Sequence, residues 1–409
     1  MSQSFTRYQW FVVGLLAFLQ FCVVVDFMIL SPLGAILLHE LSISTKQFGL
    51  VVSAYAFSAG LSGFLTAGFA DRFDRKKLLL VFYTGFVAGT IFCGVAPDYP
   101  TLLVARIVTG LFGGVVGSIS FAILADVFPM HMRGRAMGIV QTAFAASQIA
   151  GIPLGLVLAT HGGWHVPFLA IAGIAFLGGV VAFVHLKPLD AHLQHAHTTH
   201  PLRHLWRVAS KPRHLMGFSA TILLATGGYM LMPFGSAFSV QNLGIPLESL
   251  PVVYVATGLA SILAGPYLGR LADQIGKIPV FFVSSVATIA LVLFYTRLGV
   301  TPLWQVVLIN ILLFVAINGR IVTASAIASG VPELRDRGAY MSINASIQQV
   351  SGGVAAWVAG LIVVQTSEHA PLQRYDSLGL VVTLAMLITL PLMWNVSRMV
   401  DQSAKSAGA

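Results

Sequence analysis

Twelve stretches of this chain are apolar enough and long enough to cross a lipid bilayer. They fall at about 9–37, 46–69, 78–96, 101–127, 136–160, 166–186, 215–240, 247–271, 278–297, 303–331, 338–365 and 377–397. About 20 helical residues span the hydrocarbon core, so the longer stretches must tilt or protrude. Inside lipid no water satisfies backbone N–H and C=O groups, which leaves α-helices as the reading for runs of this length. The expected fold is therefore an all-α membrane protein with twelve transmembrane helices. Composition agrees: 57% of the 409 residues are hydrophobic and 9% are charged, against about 25% charged in soluble domains. The first run is too long for a secretory signal peptide, has no convincing cleavage site and contains Asp26, so a cleaved leader is not expected.

A net charge of +9 raises the question of a nucleic-acid partner, and the distribution of the charge argues against one. With both termini in the cytoplasm, eighteen of the 23 Lys and Arg residues lie on that side. Lys46, Arg297 and Arg374 lie outside, and Arg106 and Arg320 lie within spans. Short cationic loops stay cytoplasmic, which supports this orientation. Cys22 and Cys93 sit inside apolar runs and suggest neither a disulfide framework nor a metal motif.

The turn between spans 2 and 3, AGFADRFDRKK (Ala67–Lys77), is dense in charge, and its pattern returns as GRLADQIGK (Gly269–Lys277). Asp71 and Asp273 lie 202 positions apart, as do Arg135 and Arg337, and Gly151 and Gly353. Three matches at one offset, near half the chain, point to two homologous halves. The GxLADxxGK pattern resembles the cytoplasmic signature of the major facilitator superfamily. The second copy keeps Gly269, Leu271, Ala272, Asp273, Gly276 and Lys277. The first copy has Ala67, Phe69 and Asp74 at variant positions and keeps Asp71, Arg72, Arg75 and Lys76. The resemblance implies two pseudo-symmetric six-helix bundles, 1–186 and 215–409, joined by a cytoplasmic linker, 187–214, with a midplane site and alternating access. It also implies a cytoplasmic gate built from Asp71, Arg72, Arg75, Arg135, Asp273 and Arg337. Asp71 is expected at the N-terminus of span 11, near Arg337 and Gly338, where backbone N–H groups favour a negative charge.

The linker carries DAHLQHAHTTH (Asp190–His200). This run reads either as a weak transition-metal site or as a solvated tether. No cysteine or carboxylate-rich set accompanies the histidines, so no metal site is assigned. The following segment, His200–His214, mixes Leu202, Leu205, Trp206 and Val208 with Arg203, Arg207, Lys211 and Arg213. That pattern predicts a short amphipathic helix on the inner membrane surface.

Of the fourteen acids, only Asp26 lies deep inside an apolar run, FCVVVDFMIL. An intramembrane carboxylate is costly and faces a cavity or a partner. Arg106, in LLVARIVTG, is the natural partner. At 1.5 Å per residue, Asp26 lies about 16 Å and Arg106 about 8 Å below the outer ends of their helices, a gap an arginine side chain largely spans. Leu102, Arg106 and Gly110 resemble the superfamily's span-4 motif, Leu-xxx-Arg-xx-Gln-Gly, with Thr109 in place of Gln. In proton-coupled members that motif is associated with proton transfer. The pair therefore reads either as a proton-coupling site or as a structural tie between spans 1 and 4. Arg320 has no counterpart at the 202 offset, where Ser118 stands. It reads equally as a contact for an anionic or polar substrate group and as a cation bonding carbonyls of a broken helix.

In span 5, AGIPLG places Gly151, Pro153 and Gly155 in one turn. Glycines permit close helix contact and proline bends a helix. This resembles the antiporter motif of the twelve-helix drug:proton antiporters, in the Gly-x-Pro-x-Gly form of the sugar-efflux and chloramphenicol-resistance-like branch. GGWHVPF follows, with His165 where an arginine is usual. Further candidates for a substrate cavity are the polar residues within spans: Gln141, Gln148, Tyr229, Asn310, Asn318, Asn344 and Gln348. Span 7 is expected to break at Gly227-Gly228 and Pro233, among Met and Phe side chains suited to an adaptable apolar pocket.

The function these readings imply is proton-coupled efflux of small amphipathic compounds or drugs across a bacterial inner membrane. The implied partners are a small-molecule substrate, protons and the lipid bilayer, with the protein a monomer and without a cofactor. An importer or facilitator of one small metabolite is the alternative within transport, and a non-transporting receptor the alternative outside it. No nucleophile–base set and no P-loop occurs, so neither an enzyme nor an ATP-driven pump is expected.

Overall fold

The computed structural model describes residues 5–66, 72–190, 201–333, 336–367 and 370–407. Twelve helices among them are long and apolar enough to cross a membrane: α1 Arg7–Ile29, α2 Thr45–Thr66, α3 Arg75–Gly94, α4 Tyr99–Val127, α5 His131–Gly162, α6 His165–His185, α7 Pro212–Gln241, α8 Leu247–Ile275, α9 Lys277–Tyr295, α10 Leu303–Ala328, α11 Arg337–Ile362 and α12 Tyr375–Gln402. The fold is all-helical with twelve spans, as read from the apolar runs. The first run differs in detail. α1 stops at Ile29 and a separate short helix, Gly34–Glu40, follows. Pro32 lies in the intervening turn, where its missing N–H and its constraint on the preceding residue end the helix.

The chain forms two compact units, residues 1–30 with 54–201, and residues 31–53 with 202–409. In the first unit a continuous apolar core joins Val12, Leu16 and Leu19 of α1, Leu79 and Phe86 of α3, Val116 and Ile123 of α4, Val140 of α5 and Ala175 of α6. α1, α3 and α4 begin with side-chain caps. Thr6 and Gln9 form a reciprocal capping box on α1, and Asp98 caps α4 by accepting from the Thr101 amide at 3.0 Å. Glycine brings α5 against α1. A Cβ at Gly151 would stand 2.3 Å from Val25, and one at Gly155 2.4 Å from Ile29. Pro153 does not break α5. A π-helical turn, Ser147–Gly151, precedes it and absorbs the lost hydrogen bond.

In the second unit, residues 31–53 are tied in by Ser31, whose hydroxyl donates to the Met232 carbonyl, and by Ser236, which donates to the Ser31 carbonyl at 2.8 Å. Thr45 donates to the Val363 carbonyl at 2.7 Å. α7 narrows to a 3-10 turn at Met232–Phe234, around Pro233. The expected break at Gly227-Gly228 is absent, because the helix runs through both. Gly227 instead gives room to Met386 of α12, 3.3 Å from where its Cβ would be. The short helix Pro201–Ala209 forms where the amphipathic pattern was read, with Leu205 and Val208 buried and Trp206 exposed.

Candidate functional site

Asp26 and Arg106 meet in the first unit. Arg106 Nη1 lies 2.9 Å from Asp26 Oδ2 and also donates to the Asp26 carbonyl at 3.3 Å. Both side chains are sealed from solvent, at 0% and 1% relative exposure for Asp26 and Arg106. The second carboxylate oxygen, Oδ1, lies 3.1 Å from the Thr90 hydroxyl on α3. The Arg106 guanidinium sits 4.5 Å above the Tyr55 ring of α2, a cation–π contact that strengthens when desolvated. Its Nε has no partner. The approach is set by small residues: at Gly110, one turn along α4, a Cβ would stand 2.5 Å from the Tyr55 carbonyl. Thr109 does not extend the ion-pair network. Its hydroxyl donates to Ala105 O at 2.7 Å and lies 3.6 Å from Cys93 Sγ.

A buried ion pair of this kind can do chemistry that a surface pair cannot. Removing either charge leaves the other unpaired in a low-dielectric interior. Protonation of Asp26 is thus linked energetically to where the Arg106 charge can go. At the exposed N-terminal end of α4, the hydroxyl and amide of Thr101 hold the Asp98 carboxyl below its ordinary range.

Arg320 of α10 presents the opposite situation in the second unit. It is 4% exposed, donates from Nε to Ser285 Oγ at 3.0 Å and lies 5.8 Å from the Phe281 ring. One terminal nitrogen has no partner, and no acid among the described residues pairs with it.

The polar residues read as cavity candidates are placed as follows. Asn344 accepts from Thr221 at 2.7 Å across α7 and α11. Tyr229 reaches Gln349 at 3.5 Å, while Gln348 beside it is exposed. Asn318 joins α10 to Ser261 of α8 at 3.1 Å, and Asn310 donates to Val306 O of its own helix at 2.8 Å. Gln141 is exposed and Gln148 half-buried in α5. Each therefore serves a helix pair, one helix or an open face.

Of the gate residues, Asp71 lies outside the described residues. So does the histidine run His192–His200. Arg72 and Asp273 are exposed, and Arg337 donates to the Ser329 carbonyl at 3.2 Å. Arg75 is buried and stands 3.5 Å from Asp126, while Arg135 packs on the rings of Phe5 and Trp10 at 4.8 and 5.7 Å. Asp126 is thus the α4 end of an α3–α4 ion pair. Asp74, at a variant motif position, caps α3 through the Lys77 amide at 3.0 Å and receives the Leu189 amide at 3.2 Å. His165, where an arginine is usual, bonds the Ala96 carbonyl at 3.0 Å and stacks on Trp164. Thr90 and Gln20 are not among the residues singled out from the sequence. Gln20 interrupts the apolar run six residues before Asp26, and its Oε1 is buried without a partner. That interruption was the available signal. Nothing marked Thr90 among the many hydroxyls of the spans.

Twelve spans among the described residues define a polytopic membrane protein. Residues 16–356 match the Major Facilitator Superfamily, and the chain belongs to that family. It is 26% identical over 259 residues to the uncharacterized MFS-type transporter YceJ of Bacillus subtilis, an alignment covering 63% of this chain and 65% of YceJ. It is 27% identical over 361 residues to the uncharacterized MFS-type transporter YbcL of the same organism, covering 86% of this chain and 89% of YbcL. Among solved structures, a bacterial homolog of the human lysosomal transporter Spinster superposes with a TM-score of 0.75 at 15% identity, covering 98% of this chain and 99% of the other.

Proposed function

We propose that this family member is a proton-coupled exporter of small amphipathic molecules. It would work by alternating access in a bacterial inner membrane with both termini cytoplasmic. The observation that carries the reading is the buried Asp26–Arg106 pair, built on the one acid deep in a span. A proton entering from outside neutralises Asp26 and releases Arg106. After reorientation the proton leaves to the cytoplasm, favoured by the pH gradient and by about 2.3 kcal/mol per charge for each 100 mV. Arg320, a buried cation with one terminal nitrogen unpartnered and no acidic partner among the described residues, is the contact for a polar or anionic end of the substrate. The Gly151, Pro153, Gly155 turn packed on α1 beside Val25 supports export as the direction, on the resemblance to the antiporter motif. The test is a substrate panel in proteoliposomes with an imposed pH gradient. Asp26→Asn should abolish gradient-driven accumulation while leaving substrate exchange measurable. Wild-type accumulation by Asp26→Asn overturns the coupling role.

A further inference from the structure

The Thr90 hydroxyl faces two acceptors with a single proton. Its Oγ1 lies 3.1 Å from Asp26 Oδ1 and 3.0 Å from the Phe86 carbonyl of its own helix. A threonine hydroxyl donates once and accepts with two lone pairs. It can therefore donate to Asp26 or to Phe86, not to both. Thr90 is fully buried, so water does not supply a second donor.

We infer that Thr90 is the positioning residue that holds Asp26 in both of its charge states, by turning its O–H between two acceptors. The inference rests on the proton-coupling reading of Asp26. With Asp26 ionised, Thr90 donates to Oδ1 while Arg106 donates to Oδ2. The incoming proton goes to Oδ1, because at Oδ2 it would meet the Arg106 N–H at 2.9 Å. Thr90 then turns its O–H to the Phe86 carbonyl and accepts the new Oδ1–H. No heavy atom has to move, and the proton count on Thr90 is unchanged. The carboxyl stays satisfied at Oδ1 whether it is charged or neutral, so the exchange of one proton strands no polar group at that oxygen. The change of charge is then felt chiefly by Arg106, the charged neighbour.

The other groups around the carboxyl leave this role open. Arg106 on α4 is the charged neighbour. Cys93 on α3 and Cys22, one turn away on α1, are the titratable ones. Tyr55 on α2 stacks on Arg106, and α5 meets this stretch of α1 with Gly151 on Val25.

The test is pH-difference infrared spectroscopy of the full-length protein in detergent, following the C=O stretch of protonated carboxyls. The wild type should show a titrating band that Asp26→Asn removes. A hydroxyl-free side chain costs the ionised form a charge-assisted hydrogen bond and the neutral form an ordinary one. Thr90→Val should therefore move the titration midpoint to higher pH by about 1 unit. It should also shift the band to higher wavenumber, since Oδ1–H loses its acceptor. Thr90→Ser should restore both values, and Thr90→Ala should repeat the Val result if Val disturbs packing. A band removed by Asp26→Asn but unmoved in midpoint and frequency by Thr90→Val and Thr90→Ala overturns the role of Thr90 and leaves the coupling reading standing. A wild type with no titrating band, or a band that survives Asp26→Asn, overturns the coupling reading itself.

Discussion

Neutralising one member of the Asp26–Arg106 pair should destabilise the protein more than neutralising both. The two groups stand 2.9 Å apart with side-chain exposures of 1% for Arg106 and 0% for Asp26, so neither can recover hydration when its partner is lost. Stranding one member of such a pair costs about 3–5 kcal/mol. The singles should differ from one another. In Asp26→Asn the guanidinium cannot shed its proton and remains charged, with its Nε already lacking a partner. In Arg106→Gln the carboxyl can take up a proton and escape the penalty, so this variant should be the milder one and should become more stable towards acidic pH. The double variant Asp26→Asn/Arg106→Gln places two amides that can hydrogen-bond to each other. It should lie about 2–4 kcal/mol above the sum of the singles. Equilibrium unfolding of all four proteins in one detergent measures this coupling. Additive single-variant losses would refute the argument that each charge depends on the other for burial.

Three further outcomes follow from particular contacts. Gly151→Ala places a Cβ 2.3 Å from Val25, whereas Gly138→Ala meets nothing within 4 Å. The first should lose about 1–3 kcal/mol by overpacking and the second should gain about 0.5–1 kcal/mol from helix propensity, so equal effects in unfolding experiments would contradict the α1–α5 contact. Asp98 has a lowered folded-state pKa; its stabilisation is present above the unfolded carboxylate value and is lost as pH falls through the folded one. Asp98→Asn, which keeps a capping side chain, should flatten the acid limb of a stability–pH curve, and an unchanged limb would remove the cap from the account. Accessibility tags at the C-terminus and within residues 190–200 should both report cytoplasm, and an external signal from either would reverse the proposed orientation.

The spans and the deep charges could be read from residue order because both rest on local energetics. An apolar run of bilayer length must become a helix, since its backbone has no other way to satisfy itself in lipid. An Asp or Arg within such a run stands out because burial of charge is costly, which is why Asp26, Arg106 and Arg320 could be singled out before any fold was known. The contacts of these residues depend on how each helix is rotated and how deeply it sits, and packing against neighbours sets both. Thr90 was one hydroxyl among many until α3 turned it towards Asp26. Asp126 and Arg75, 51 residues apart, became a pair only when the N-terminal end of α3 met the C-terminal end of α4. The break in α7 fell at Pro233 and not at Gly227-Gly228: Gly227 packs close to Met386 within a continuous helix, whereas the missing N–H of Pro233 is accommodated by a local 3-10 turn.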